Sequence, residues 1–158
     1  MGYFTRVFCA TKNKPTVQSI LDFVIANGIG VSSNLNGAEL LTENWNHFEL
    51  IYDKKRLPLL VELNGLENSG GLAEEELEEF LELVGKPRFY ELKKKKAAEH
   101  LKKTEYIICV QLPTNDIVDK GYDANGELMQ FFEKNFSGMI QVDREGFYDG
   151  PKLLLELE

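Results

Sequence analysis

Few residues of this chain have types and spacing that could do chemistry. Two histidines occur, His47 and His100. His47 and Glu49 stand two apart, so a strand would turn both side chains to one face, as metal ligands require. A protein metal site takes at least three protein ligands, and no third stands beside them in sequence. His100 lies among lysines, a poor place to hold a cation. Packed or solvated histidines are expected, with no metal and no cofactor.

Nucleophilic chemistry is no better provided for. There is no G-x-S-x-G elbow, and Cys9 and Cys109 each fall inside an apolar run. A free thiol in such a run behaves as a small buried hydrophobe. Two cysteines do not make a disulfide framework, so reduced thiols are expected. Asn68-Ser69-Gly70-Gly71 precedes a helix but lacks the lysine of a phosphate-binding loop. The glutamates that follow, Glu74-Glu75-Glu76, would repel a phosphate. Asp116, Asp119, Asp123, Asp143, Glu145 and Asp149 stand at or near turns, where turn geometry is reason enough for them.

One constellation points to a ligand. If the chain is built from two similar halves, the turns Thr11-Lys12-Asn13-Lys14 and Thr114-Asn115-Asp116 become equivalent. Arg6, Lys12, Asn13, Tyr122, Asn125, Asp143 and Tyr148 would then meet at a cleft between the halves, where ligands often bind.

The elements that must position these groups follow from local patterns. Residues 3–10 are β-branched and aromatic and read as a strand. Pro15-Thr16 opens a helix whose Val17, Ile20, Leu21, Val24 and Ile25 share a face, and Gly28 ends it. Residues 29–44 read as loop with a helical turn at 38–41. Residues 45–52 and 58–63 read as a hairpin, with Phe48, Leu50 and Tyr52 facing Leu59, Val61 and Leu63. Helices are expected at 72–84, acidic in its first turn, and at about 89–103. The last third reads as a strand at 106–112, a helix capped by Asp123, and strands at 139–142 and 152–157. Turns at 143–146 and 149–151 separate them.

Both ends thus run strand, helix, strand, strand, and Leu59-Leu60-Val61-Glu62-Leu63 lines up with Leu153-Leu154-Leu155-Glu156-Leu157. The expected fold is a single α+β domain over 1–158. Its sheet is mainly antiparallel or mixed, with helices packed on one face. Two βαββ, ferredoxin-like halves (3–65 and 105–158) would be joined by a helical insert at 72–103. An apolar share of 43% in 158 residues is enough for one core of ordinary domain size.

Charge decides among partners. The net charge is −8, which repels phosphate backbones and suits a basic protein partner. The basic run Lys93–Lys96, with Lys86, Arg88, Lys102 and Lys103 nearby, is expected to pair with the glutamates of the preceding helix. No apolar run is long enough to span a bilayer. The N-terminus does not resemble a signal peptide, so a cytoplasmic protein is expected. These features favour a non-catalytic interaction or regulatory module, such as one that neutralises a toxin or regulates a partner. A small-molecule domain with a pocket between the halves comes second, and an enzyme using dispersed carboxylates comes last. Nucleic acid and membrane are not expected partners; a homodimer through a sheet edge is compatible with each reading.

Overall fold

The computed structural model describes residues 3–66 and 71–157. The proposed loop at 68–71 therefore lies almost wholly outside the described residues. Its architecture starts from β1 (Tyr3–Cys9), whose side chains alternate between two apolar layers. Val7 and Cys9 enter one core; Phe8 enters another on the opposite face. Successive strand residues point to opposite faces, so a strand apolar on both must be covered twice.

The first cover is made by α1 (Val17–Ala26) and α5 (Asp119–Asn135). Thr16 starts α1 by accepting the Ser19 N–H at 3.1 Å, which satisfies one of the free donors of the first turn. Val17, Ile20, Leu21 and Val24 are buried as their spacing predicts, but Ile25 is half exposed. The α5 helix begins four residues before the expected cap at Asp123, with Val118 preceding it. Gly121 lies within this earlier first turn. A Cβ at Gly121 would lie 2.8 Å from Tyr52 Cζ and 2.7 Å from Ile117 Cγ1. This glycine lets a helix approach a ring; it does not break the helix.

Among the described residues eight strands form one antiparallel sheet. They are β1, β2 (Ser32–Ser33), β3 (His47–Ile51), β4 (Leu59–Gly65), β5 (Tyr106–Leu112), β6 (Gly138–Val142), β7 (Gly146–Asp149) and β8 (Lys152–Glu156). Their order is β2-β3-β4-β5-β1-β6-β7-β8. The hairpin of β3 and β4 has the expected register, with Phe48 opposite Val61 and Leu50 opposite Leu59. The path β1-α1-β4-β5-α5-β6 is a split β-α-β-β-α-β arrangement with β1 and β5 at its centre. The two leucine-rich segments occupy unlike places in it: β4 lies inside the sheet and β8 at its edge.

The helices expected on one face occupy both. A short helix, α2 (Ala38–Leu41), follows β2, whereas α3 (Leu72–Val84) and α4 (Leu92–Lys103) cover the face opposite α1 and α5. There Phe8 meets Phe80 at 5.4 Å and Phe147 at 5.8 Å between ring centres. The physical reason is the double alternation of β1 and β5, where Phe8 and Ile107 need a cover that α1 and α5 cannot supply. The ion pairs described for the α4 lysines differ from the expected ones with α3 glutamates. Lys94 pairs with Glu91 at 3.2 Å and Lys96 with Asp149 at 2.5 Å, neither of them on α3. No helix among the described residues is long and apolar enough to cross a membrane.

The Phe8 layer can be tested by truncation. Phe8→Ala is expected to lower unfolding free energy by about 3–5 kcal/mol, the usual effect of emptying an aromatic core position. Denaturant unfolding measures it, and a loss below about 1 kcal/mol would mean that this layer does not hold α3 and α4 to the sheet.

Candidate functional site

The seven residues expected to converge are divided among three places. β1 and β5 run antiparallel, with Tyr3 opposite Leu112 and Cys9 opposite Tyr106. The turns that follow these two strands therefore lie at opposite ends of the sheet. Lys12 and Asn13 stand at one end, where the Asn13 carbonyl accepts the Tyr106 hydroxyl at 2.8 Å. They do not join the others.

Arg6 and Asp143 meet on the α3 face. Arg6 Nη1 donates to Asp143 Oδ1 at 2.8 Å and to Gln141 Oε1 at 2.9 Å. Its Nε lies 3.1 Å from Glu76 Oε2, and its side chain is only 13% exposed. The guanidinium also sits 5.2 Å from the centre of the Phe80 ring. Burial opposes this charge, but Glu76 and Asp143 outweigh burial and hold the guanidinium charged. Arg6 is thus the one cation of β1 on a largely apolar face, neutralised by carboxylates from α3 and from the end of β6. A buried charge paired in this way is chiefly a positioning device.

Tyr122, Asn125 and Tyr148 come together on the α5 face with three residues that sequence reasoning missed: Tyr3, Thr5 and Glu145. Tyr3, Thr5, Tyr122, Asn125, Met129 and Glu145 are among the lining of a cavity of about 360 Å³. Asn125 is buried, and its Nδ2 donates to Thr5 Oγ1 at 3.1 Å. Its Oδ1 is buried with no hydrogen-bond partner among the described residues. Tyr3 donates its hydroxyl to the Asp143 carbonyl at 2.7 Å and lies 3.2 Å from Glu145 Oε2. Tyr148 donates to Glu145 Oε1. A second hollow of about 520 Å³ shares Met129 and Val142 with the first and takes in Gln130, Glu133, Lys134 and Tyr148. The result is a groove between α5 and β6–β7.

Asp143 couples the two faces, since its side chain holds Arg6 while its carbonyl holds Tyr3. The signal that could have found Tyr3 and Thr5 is strand alternation. Both share the face of Val7, so Thr5 is a polar residue among core positions.

No known family model matches the chain, and no curated protein or solved structure does. Function must be read from the groove itself. Glu145, the Asp143 carbonyl and Asn125 Oδ1 offer acceptors, and Tyr3, Tyr122 and Tyr148 offer rings. Carboxylate and carbonyl acceptors beside aromatic rings are chemically complementary to a hydrogen-bond-donating cation.

Other reactive groups are disposed differently. Burial pushes the Cys9 thiol well up and the Cys109 thiol up to about 12, so neither is a ready nucleophile at neutral pH. Cys109 stands opposite Arg6, three positions from Cys9, and an odd offset places the two thiols on opposite faces of the sheet. Both cysteines are free. His100 Nε2 lies 2.7 Å from the Phe8 carbonyl, and burial, then Lys103, lower its pKa while that carbonyl raises it. Among the described residues no three His, Cys, Asp or Glu side chains are grouped to hold a metal.

Tyr3 gives the groove a pH signature. Burial first, and Glu145 next, push its hydroxyl from 10.0 up to about 12. A group whose pKa is raised on folding contributes stability below its unfolded value, and loses it as pH rises through the folded one. Stability should therefore fall between roughly pH 10 and 12, less steeply in Tyr3→Phe. Unfolding free energy measured across that range checks this; equal slopes in both proteins would place Tyr3 outside the network.

Proposed function

We propose that the domain is a non-catalytic binding module whose α5 groove receives a basic side chain of a protein partner. One observation carries this reading. Among the described residues the carbonyl oxygen of Asn125 is buried and unpartnered, in a cavity that also takes in Glu145, a carboxylate framed by two tyrosine hydroxyls. An unmet buried acceptor is unfavourable by about 1–3 kcal/mol, a deficit that an incoming donor removes. Glu145 supplies the charge, and its place at the exposed rim lets a long side chain reach it from solvent. The net charge of −8 would speed encounter with a basic partner. Two buried, free thiols accord with a reducing, cytoplasmic setting.

A second reading has its own observation. The adjoining hollows, of about 360 and 520 Å³, fall in the size range of small-molecule sites. In that reading a small organic cation takes the place of the partner's side chain, and the same residues recognise it.

Thermal unfolding with an arginine- and lysine-rich peptide, and separately with a small diamine, tests both. A ligand that binds only the folded state raises the melting temperature. Glu145→Gln is expected to weaken binding at least about tenfold, the scale of one charge-assisted hydrogen bond. Asn125→Leu, which removes the unpaired acceptor, should weaken it as well. A melting temperature unmoved by either ligand at low salt would sink the proposal. So would a shift that persists unchanged in both variants.

A further inference from the structure

We propose that the connection between α3 and α4 docks on an anionic lipid surface. Four large apolar side chains stand in solvent in or beside it: Phe89 (89% exposed) and Tyr90 (60%) in the connection, Leu92 (71%) at the start of α4 and Leu83 (55%) near the end of α3. Scattered apolar residues on a surface need no explanation, but a group gathered within the stretch 83–92 marks an interaction site. Phe89 and Tyr90 pack edge to face at 5.4 Å, and Arg88 Nη1 donates to the Tyr90 hydroxyl at 2.9 Å. The patch is thus a formed surface.

Its charge is opposite to that of the chain. Lys86, Arg88, Lys93 and Lys95 are exposed around the apolar group, and Lys94 is beside them. Glu91 is the carboxylate within this stretch, and it is engaged by the Arg88 N–H at 3.1 Å and by Lys94 at 3.2 Å. Five cations around Phe89 and Leu92 therefore present a local positive field on a protein of net charge −8. Screening confines fields to about 8 Å at physiological salt, so on contact the cations next to Phe89 and Leu92 outweigh carboxylates farther off. Lysine and arginine at the headgroup level with aromatic and aliphatic side chains below is the arrangement of interfacial membrane binding, which needs no spanning helix.

The leucines decide between lipid and nucleic acid. Single strands are held by open ring faces on which bases stack. Here the two rings turn edge to face upon each other, and Leu83 and Leu92 offer nothing to a base. Hydrocarbon takes up all four. The ion pairs described for this run, Lys94 with Glu91 and Lys96 with Asp149, are not the ones with α3 on which the expectation of no membrane partner rested.

Co-sedimentation of the full chain with vesicles tests the inference. The chain should bind vesicles of phosphatidylcholine mixed with phosphatidylserine, and not phosphatidylcholine alone, at physiological ionic strength. Replacing Lys93, Lys94 and Lys95 together by Gln should reduce partitioning about 100-fold. The pair Phe89→Ala and Leu92→Ala should reduce it at least about tenfold. These side chains are exposed or half-exposed, and the Lys94–Glu91 pair lies at the surface where such pairs contribute little, so both variants should melt close to the parent. Phe89→Trp supplies an independent readout, an emission blue-shift when mixed vesicles are added. Trp45 is buried and bonded to the Pro15 carbonyl at 2.8 Å, so it contributes a constant background. Absence of binding to mixed vesicles, or binding indifferent to both sets of substitutions, overturns the proposal. Tighter capture by single-stranded DNA or by polyglutamate overturns it too, and would assign the patch to another polyanion.

Discussion

The antiparallel contact of β1 with β5 at the centre of the sheet is the constraint on which the rest depends. Both strands are apolar on both faces, so the pair is buried only when helices cover the sheet twice. α1 and α5 complete one layer, and α3 and α4 the other. The same pairing sends the two strand-to-helix turns to opposite ends. It therefore separates Lys12 and Asn13 from the groove while leaving Tyr3 and Thr5 in it. Fold and site share a single cause.

Arg6 shows how closely the two layers are tied. A guanidinium in the middle of a central strand is tolerable only with carboxylates at hand, and α3 and β6 bring Glu76 and Asp143 to it. Asp143 is then fixed from both sides, its carboxylate by Arg6 and its carbonyl by Tyr3. Tyr3 in turn lies against Glu145. The acceptors of the groove on one face are oriented by a charge cluster on the other, so each network steadies its neighbour.

Much of the fold was legible because its signals are local. Thr16 caps α1, the alternation of Phe48 and Leu50 against Val61 and Leu59 defines a hairpin, and Gly85 ends α3. What failed was non-local. The helix expected from Asp123 starts earlier, at Asp119, and Gly121 inside it packs against Tyr52, far away in sequence. The cover of Phe8 by Phe80 and Phe147 cannot be read from either segment alone. The site was legible in part for the same reason. Asn125, Tyr122 and Tyr148 carry recognisable polar chemistry, but Glu145 and Tyr3 meet only through the register that sets Thr5 opposite Val142. Lys12 and Asn13 were drawn in by an assumed equivalence of turns that the antiparallel centre does not allow.

Backbone and side-chain amide shifts followed by NMR during titration with an arginine- and lysine-rich peptide test the groove most directly. Recognition there predicts that the Asn125 side-chain amide moves first, with Thr5, Val142 and Glu145, while Lys12 and Asn13 stay still. Shifts spread over the glutamates of α3, with Asn125 unmoved, would contradict it and make the acidic helix the contact surface.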